Sequence, residues 1–119
     1  MTSLEHALTA LQQALDASRR HSVWRWVVRQ RITALEDALS GELSRDSGSG
    51  LAAREQSLER ERAVLLRRLA ELGAQVLDAP DVEQVRSGLC RLVCDVDRHR
   101  QRVNNLAYDA VSMELGGSE

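Results

Sequence analysis

The chain has 119 residues, a formal charge of −2 and a pI near 5.9, with 43% hydrophobic and 29% charged residues. That length fits a single helical-bundle domain spanning residues 1–119, and the acidic balance argues against a dedicated nucleic-acid binder. The opening MTSLEHAL has no basic region leading into an apolar run, so no secretory signal is expected. No apolar run approaches the roughly 20 residues of a membrane helix, and a cytoplasmic location is expected.

All 16 Lys-or-Arg cations are Arg, Phe is absent and Ile occurs once, at Ile32. This is the residue usage of a GC-rich bacterial genome, so the abundance of Arg reflects coding as well as chemistry. Aromatic residues make up only 3%, which leaves Leu, Val and Ala to build the core and favours helices packed on helices.

The first predicted helix covers about residues 3–40. Thr2 and Glu5 fit a capping box. Leu4, Leu8, Leu11 and Leu15 form one stripe. Beside it a second line runs through Ala7, Ala10, Ala14, Ala17, His21, Trp24, Val28, Arg31, Leu35 and Ala38 in steps of three and four. No Gly or Pro interrupts this pattern. SRRHS at 18–22 is the place for a kink, and one continuous helix is expected.

Inside this helix lies RRHSVWRWVVRQR, residues 19–31, with five Arg, one His, both Trp and no acid. With Val23 at 0°, Trp24, Val27 and Val28 fall at about 100°, 40° and 140°, and Trp26 at about 300°. The two Trp are therefore about 200° apart and cannot share one core. Trp24 belongs inside, whereas Trp26 needs a second neighbour. Arg25 and Arg29 occupy the narrow polar remainder. Trp and Arg together are the composition of protein-binding hot spots, which points to a partner-binding face of Val23, Trp26, Arg19, Arg25 and Arg29. The alternative is a nucleic-acid grip in which Arg19, Arg20, Arg25, Arg29 and Arg31 hold phosphates and Trp stacks on bases. No helix-turn-helix pattern surrounds the stretch.

Residues 41–50 are dominated by Ser, Gly and Asp and read as a flexible loop. The second predicted helix spans 51–78. Leu51, Leu58, Leu65 and Leu72 repeat every seven residues, joined by Leu69 and Val76, while Glu55 and Arg62 fill the remaining stripe positions. DAPD at 78–81 forces a reversal, with Asp78 or Asp81 able to cap the next helix and Pro80 suited to its start.

The third predicted helix spans 81–115. Val82, Val85, Leu89, Leu92, Val96, His99, Val103, Leu106, Ala110 and Met113 form an unbroken heptad seam. His99 is its one polar member and reads as a register-setting residue, with Asp95 one turn earlier to hold its ring. His99, Arg62 and Arg31 are thus expected as a structural polar core.

The expected architecture is all-α: an elongated, antiparallel three-helix bundle with coiled-coil-like heptad packing. Its first and third helices overhang the middle one, leaving Leu4, Leu8 and Leu11 wet in a monomer, so a homodimer or a protein partner is expected.

Cys90 and Cys94 lie one turn apart, but a zinc site wants four ligands and His99 does not complete the set. They read as free helix-flank thiols, and neither metal nor cofactor is expected. No nucleophile stands beside a base, and REQSLERERAVLLRR at 54–68 reads as an ion-paired solvated face. An enzyme would need Arg31, Arg62, Asp95, Asp97 and His99 to converge at mid-bundle. The leading expectation is a non-catalytic bundle acting through protein–protein contacts, as a regulator or adaptor.

Overall fold

The computed structural model describes residues 3–17, 23–41 and 52–117, excepting the side chains of 52 and 109–117. Thr2, Arg19, Arg20, His21 and the expected loop at 42–50 lie outside the described residues. Four helices are present: α1 (Ser3–Asp16), α2 (Trp24–Gly41), α3 (Ala52–Gln75) and α4 (Val82–Gly117). There is no strand among the described residues.

The expected single first helix is two. α1 and α2 pack on each other, and their ends meet in reverse order. The indole Nε1–H of Trp24, the first residue of α2, donates to the carbonyl of Ala14 near the end of α1, at 2.8 Å. At the other end, Ser3, Leu4 and Ala7 line one cleft with Ala34, Ala38 and Gly41. Neighbouring helices run α1–α2, α2–α3, α3–α4 and α4–α1 around the bundle. Every neighbouring pair is antiparallel, giving an up-down-up-down four-helix bundle where three helices were expected.

The fold-back buries what a straight helix would leave wet. Leu4, Leu8, Leu11 and Leu15 join the core with Trp24, Val28, Ile32, Leu35 and Leu39. The argument for a dimer from an overhanging α1 stripe therefore falls. The phase of α2 also differs from the expected line. Ile32 takes the inward place assigned to Arg31, which is exposed, and Leu39 that assigned to Ala38, which is half-buried. A buried aliphatic costs nothing in desolvation, whereas a buried guanidinium needs partners.

A short helix leaves four carbonyls unsatisfied at its C-terminus, and α1 carries no basic residue in its last turn. Other helices supply the donors. Trp24 serves the Ala14 carbonyl, and Arg86 of α4 donates from Nε to the Leu15 carbonyl at 3.0 Å. The Arg86 charge also complements the negative end of the α1 dipole. At the opposite end of α1, Arg100 of α4 lies 3.5 Å from Glu5.

α3 and α4 are joined by the reversal at 76–81. Asp81 Oδ1 accepts from the Gln84 amide at 3.2 Å, an N-cap for α4. Two glycines lie at close helix approaches. A Cβ on Gly73 would stand 3.3 Å from Ile32 Cγ2 across the α2–α3 seam, and one on Gly88 would stand 3.2 Å from Leu72 Cδ2 across α3–α4.

At 1.5 Å per residue the helices are about 21, 27, 36 and 54 Å long, in a molecule measuring 60 × 23 × 20 Å. The α1–α2 hairpin covers only part of the longer pair. Gly41 and Ser3 line the same cleft as Arg100, Val103 and Asn104. Beyond that step, among the described residues, α3 and α4 continue together as a two-helix arm.

Candidate interaction surface

Interactions with α3 fix the orientation of α2. Arg25 Nη1 donates to the Ala79 carbonyl at 2.7 Å, and the Arg29 guanidinium lies beside Gly73, 3.4 Å from where a Cβ there would stand. Arg25 and Arg29 therefore turn toward α3 and the α3–α4 reversal. They do not stand on an open polar strip, as expected from the sequence. Arg29 also donates to Thr33 Oγ1 at 2.8 Å and lies 3.9 Å from Glu36. Each of these two arginines, expected on the partner-binding face, thus has partners within the chain.

With that side of α2 against α3 and Trp24, Val28, Ile32 and Leu35 in the core, the outward row is Val23, Trp26, Gln30, Thr33 and Asp37, all exposed. Trp24 is 4% exposed and Trp26 59%, so the angular separation read from the sequence is present in the fold. Trp26 is an indole set in a row whose other members, Val23 apart, are polar. Leu77, half its surface exposed, lies at the same end of the bundle, two residues before the carbonyl that Arg25 holds. The described arginines of stretch 19–31 thus divide into Arg25, held by the Ala79 carbonyl of the α3–α4 reversal, Arg29, held by Thr33 and Glu36 of its own helix, and Arg31, which is exposed.

The polar groups inside the bundle gather elsewhere. His99 is fully buried, and its Nδ1 lies 2.7 Å from Glu61 Oε1 of α3. Arg102 binds the second oxygen of the same carboxylate. Asp95, expected to hold the His99 ring, instead accepts from Arg68 Nη1 at 2.7 Å and lies 3.5 Å from Arg98. It faces the α3 seam on its outer side, whereas Glu61 stands level with His99. Asp97 faces the α1 side and accepts from Arg100 Nε at 3.0 Å. Arg62 is also buried, at the level where the arm begins, with Nη2 3.9 Å from Glu59.

The five groups required for an enzymatic site do not converge. Arg31 is exposed on α2, Asp95 and Asp97 point to different neighbours, and only His99 and Arg62 are buried. Cys90 is half-buried and Cys94 exposed, both as free thiols. Among the described residues no group of three or more His, Cys, Asp or Glu is placed to hold a metal ion. No helix among them is long and apolar enough to cross a membrane.

Sequence reasoning missed Arg25 and Arg86 as carbonyl donors and Glu61 as the partner of His99. Only the Glu61 pairing left a trace in the pattern, as an acid beside a seam that faces a seam histidine. No protein-family model, curated protein or solved structure matches this chain.

Proposed function

We infer that the chain is a non-catalytic helical-bundle protein that works by binding a protein partner, as a regulator or adaptor, on the outward face of α2 at Val23 and Trp26. One observation carries this reading: an indole 59% exposed on a helix whose neighbouring arginines are already committed. Burying such a side chain in a partner's pocket contributes roughly 1.5–3 kcal/mol, and Trp is among the residues that dominate interface energetics. The setting that fits the composition is the cytoplasm of a bacterium with a GC-rich genome.

The test is affinity capture from the native host with the wild type, Trp26→Ala and Arg31→Ala. Selective loss of a partner in Trp26→Ala, at unchanged helicity, is the expected result. Equal retention by all three removes the α2 face from the reading.

The second reading, a nucleic-acid grip, draws on the run of arginines at 19–31. It predicts a salt-dependent quench of Trp26 fluorescence by mixed-sequence DNA or RNA. Arg25 and Arg29 being held by Ala79, Thr33 and Glu36 speaks against it.

A further inference from the structure

The run REQSLERERAVLLRR at 54–68 is not the evenly paired surface that its alternation suggests. On the outer side of the α3–α4 seam, Arg68 lies 2.7 Å and Arg98 3.5 Å from Asp95, and Arg102 holds Glu61. The contacts that cross the seam set its register, with 68 level with 95 and 61 level with 102. Arg60, Arg67 and Arg91 are exposed and make no ion pair among the described residues. Helical phase puts them along the same seam, Arg60 and Arg67 beside Val64 on α3, and Arg91 in line with Arg98 and Arg102 on α4. Six arginines thus border the seam against three carboxylates, Glu61, Glu71 and Asp95, in a chain whose net charge is −2.

Between the two rows lies a groove of about 340 Å³ whose lining includes Val64, an apolar side chain 47% exposed. The groove opens on the side of α3 and α4 away from the α1–α2 hairpin, and away from Gly41, which lines the cleft on the hairpin side. We propose that it docks an acidic amphipathic helix of a partner protein. The apolar stripe of that helix lies over Val64. Its carboxylates meet Arg60 and Arg67 on one wall and Arg91 and Arg98 on the other. This surface is separate from Val23 and Trp26 on α2 and does not rest on them.

Charge and spacing both favour this occupant. Opposite charge is what three exposed arginines without an ion pair lack, and complementary charge sets which partners are accepted. Arg60 to Arg67, and Arg91 to Arg98, are each one heptad, about 10.5 Å along the helix axis. A helix lying in the groove repeats its own faces at that interval. Glutamates at its two flanking heptad positions therefore meet both walls, while the positions between them cover Val64. The α3–α4 register spreads the arginines over about 18 Å, so a short helix is long enough. A phosphate backbone fits less well. Its charges press onto Glu61 and Asp95 in the groove, where the helix sets apolar groups. None of the lining residues is aromatic, so bases find no ring to stack on.

The probe is a dye-labelled synthetic peptide of about 20 residues, with Leu at the a and d positions of a heptad and Glu at e and g. It is titrated with the full chain at about 0.15 M ionic strength and followed by fluorescence anisotropy. Saturable binding of one peptide per chain is expected. Arg67→Glu with Arg91→Glu is expected to weaken it by about tenfold or more, and Val64→Ser by about threefold or more. Arg31→Glu and Trp26→Ala are expected to bind as the wild type does. If the double reversal lowers helicity, Arg67→Gln with Arg91→Gln is read in its place. No saturable binding at near-millimolar chain overturns the proposal. So does equal binding of a peptide of the same composition with its heptad scrambled, which leaves only undirected charge attraction. A mixed-sequence DNA duplex that binds more tightly than the peptide, and is lost in the same variants, overturns it in favour of nucleic acid. Binding that survives the reversal and is lost in Trp26→Ala also overturns it, moving the contact to α2.

Discussion

Replacing Trp24 by alanine tests the hairpin and the surface reading together. The Trp24 ring is 4% exposed, in the core with Leu11, Leu15, Val28 and Leu35, and its indole N–H serves a carbonyl of α1. Truncating a buried Trp costs about 3–5 kcal/mol. Losing the bond to Ala14 adds about 1 kcal/mol, moderated because the Ala17 amide also reaches that carbonyl, at 3.3 Å. Against the roughly 5–15 kcal/mol stability of a domain, Trp24→Ala removes about a quarter or more. Trp26→Ala, whose ring stands mostly in water, is expected to change stability by no more than about 0.5 kcal/mol. Trp24→Phe separates the two contributions at Trp24, since it keeps most of the ring volume and loses the donor. It is expected to fall between wild type and Trp24→Ala. Urea unfolding followed by far-UV circular dichroism measures all three, with constant slope as the check that the unfolded states are comparable. Similar losses in Trp24→Ala and Trp26→Ala would refute the reasoning, because the two rings would then share one environment.

Arg86→Met removes the donor to the Leu15 carbonyl and is expected to cost about 1–2 kcal/mol, while Arg91→Met, on the exposed side of α4, leaves the urea midpoint unchanged. Arg25→Met is expected to cost a similar 1–2 kcal/mol through the Ala79 carbonyl. Arg31→Met is expected to be neutral, and thermal melts of the pair decide between structural and exposed arginine. His99→Leu is expected to lower stability by about 1–2 kcal/mol, since it removes a hydrogen bond from a fully buried ring to the Glu61 carboxylate. A rise in the denaturation midpoint would show that burying the imidazole outweighs that bond.

The α3–α4 half of the bundle was legible because its signals agree. An unbroken three-four alternation runs along α4, and Pro80 and Asp81 stand where the chain must reverse. The α1–α2 reversal was not legible, for a physical reason. SRRHS contains neither Gly nor Pro, and the spacing from Ala14 through Ala17 and His21 to Trp24 keeps helical phase across the break by coincidence. Two clues pointed the other way. One was the broad apolar arc at 23–28; the other was a leucine stripe at 4–15 that had nothing to cover it. The phase error that placed Arg31 inside follows from assuming strict alternation, when Trp24, Val28 and Ile32 step by four twice. The separation of Trp24 from Trp26 depends only on the angle between residues two apart, so it survived the wrong topology. Arg25 and Arg86 act on carbonyls 54 and 71 residues away, and no local spacing encodes such pairs.

The closure of α1 by Trp24 and Arg86 bears on how the molecule opens. A helix of 14 residues is at the margin of what persists alone in water, and here both side-chain donors at its C-terminal end belong to other helices. Loss of either donor is therefore expected to loosen that end of α1, read as faster hydrogen exchange of its last-turn amides relative to those of α3 and α4. The end of α1 is thus a joint between three helices, in which one indole and one guanidinium from elsewhere in the chain grip two successive carbonyl oxygens.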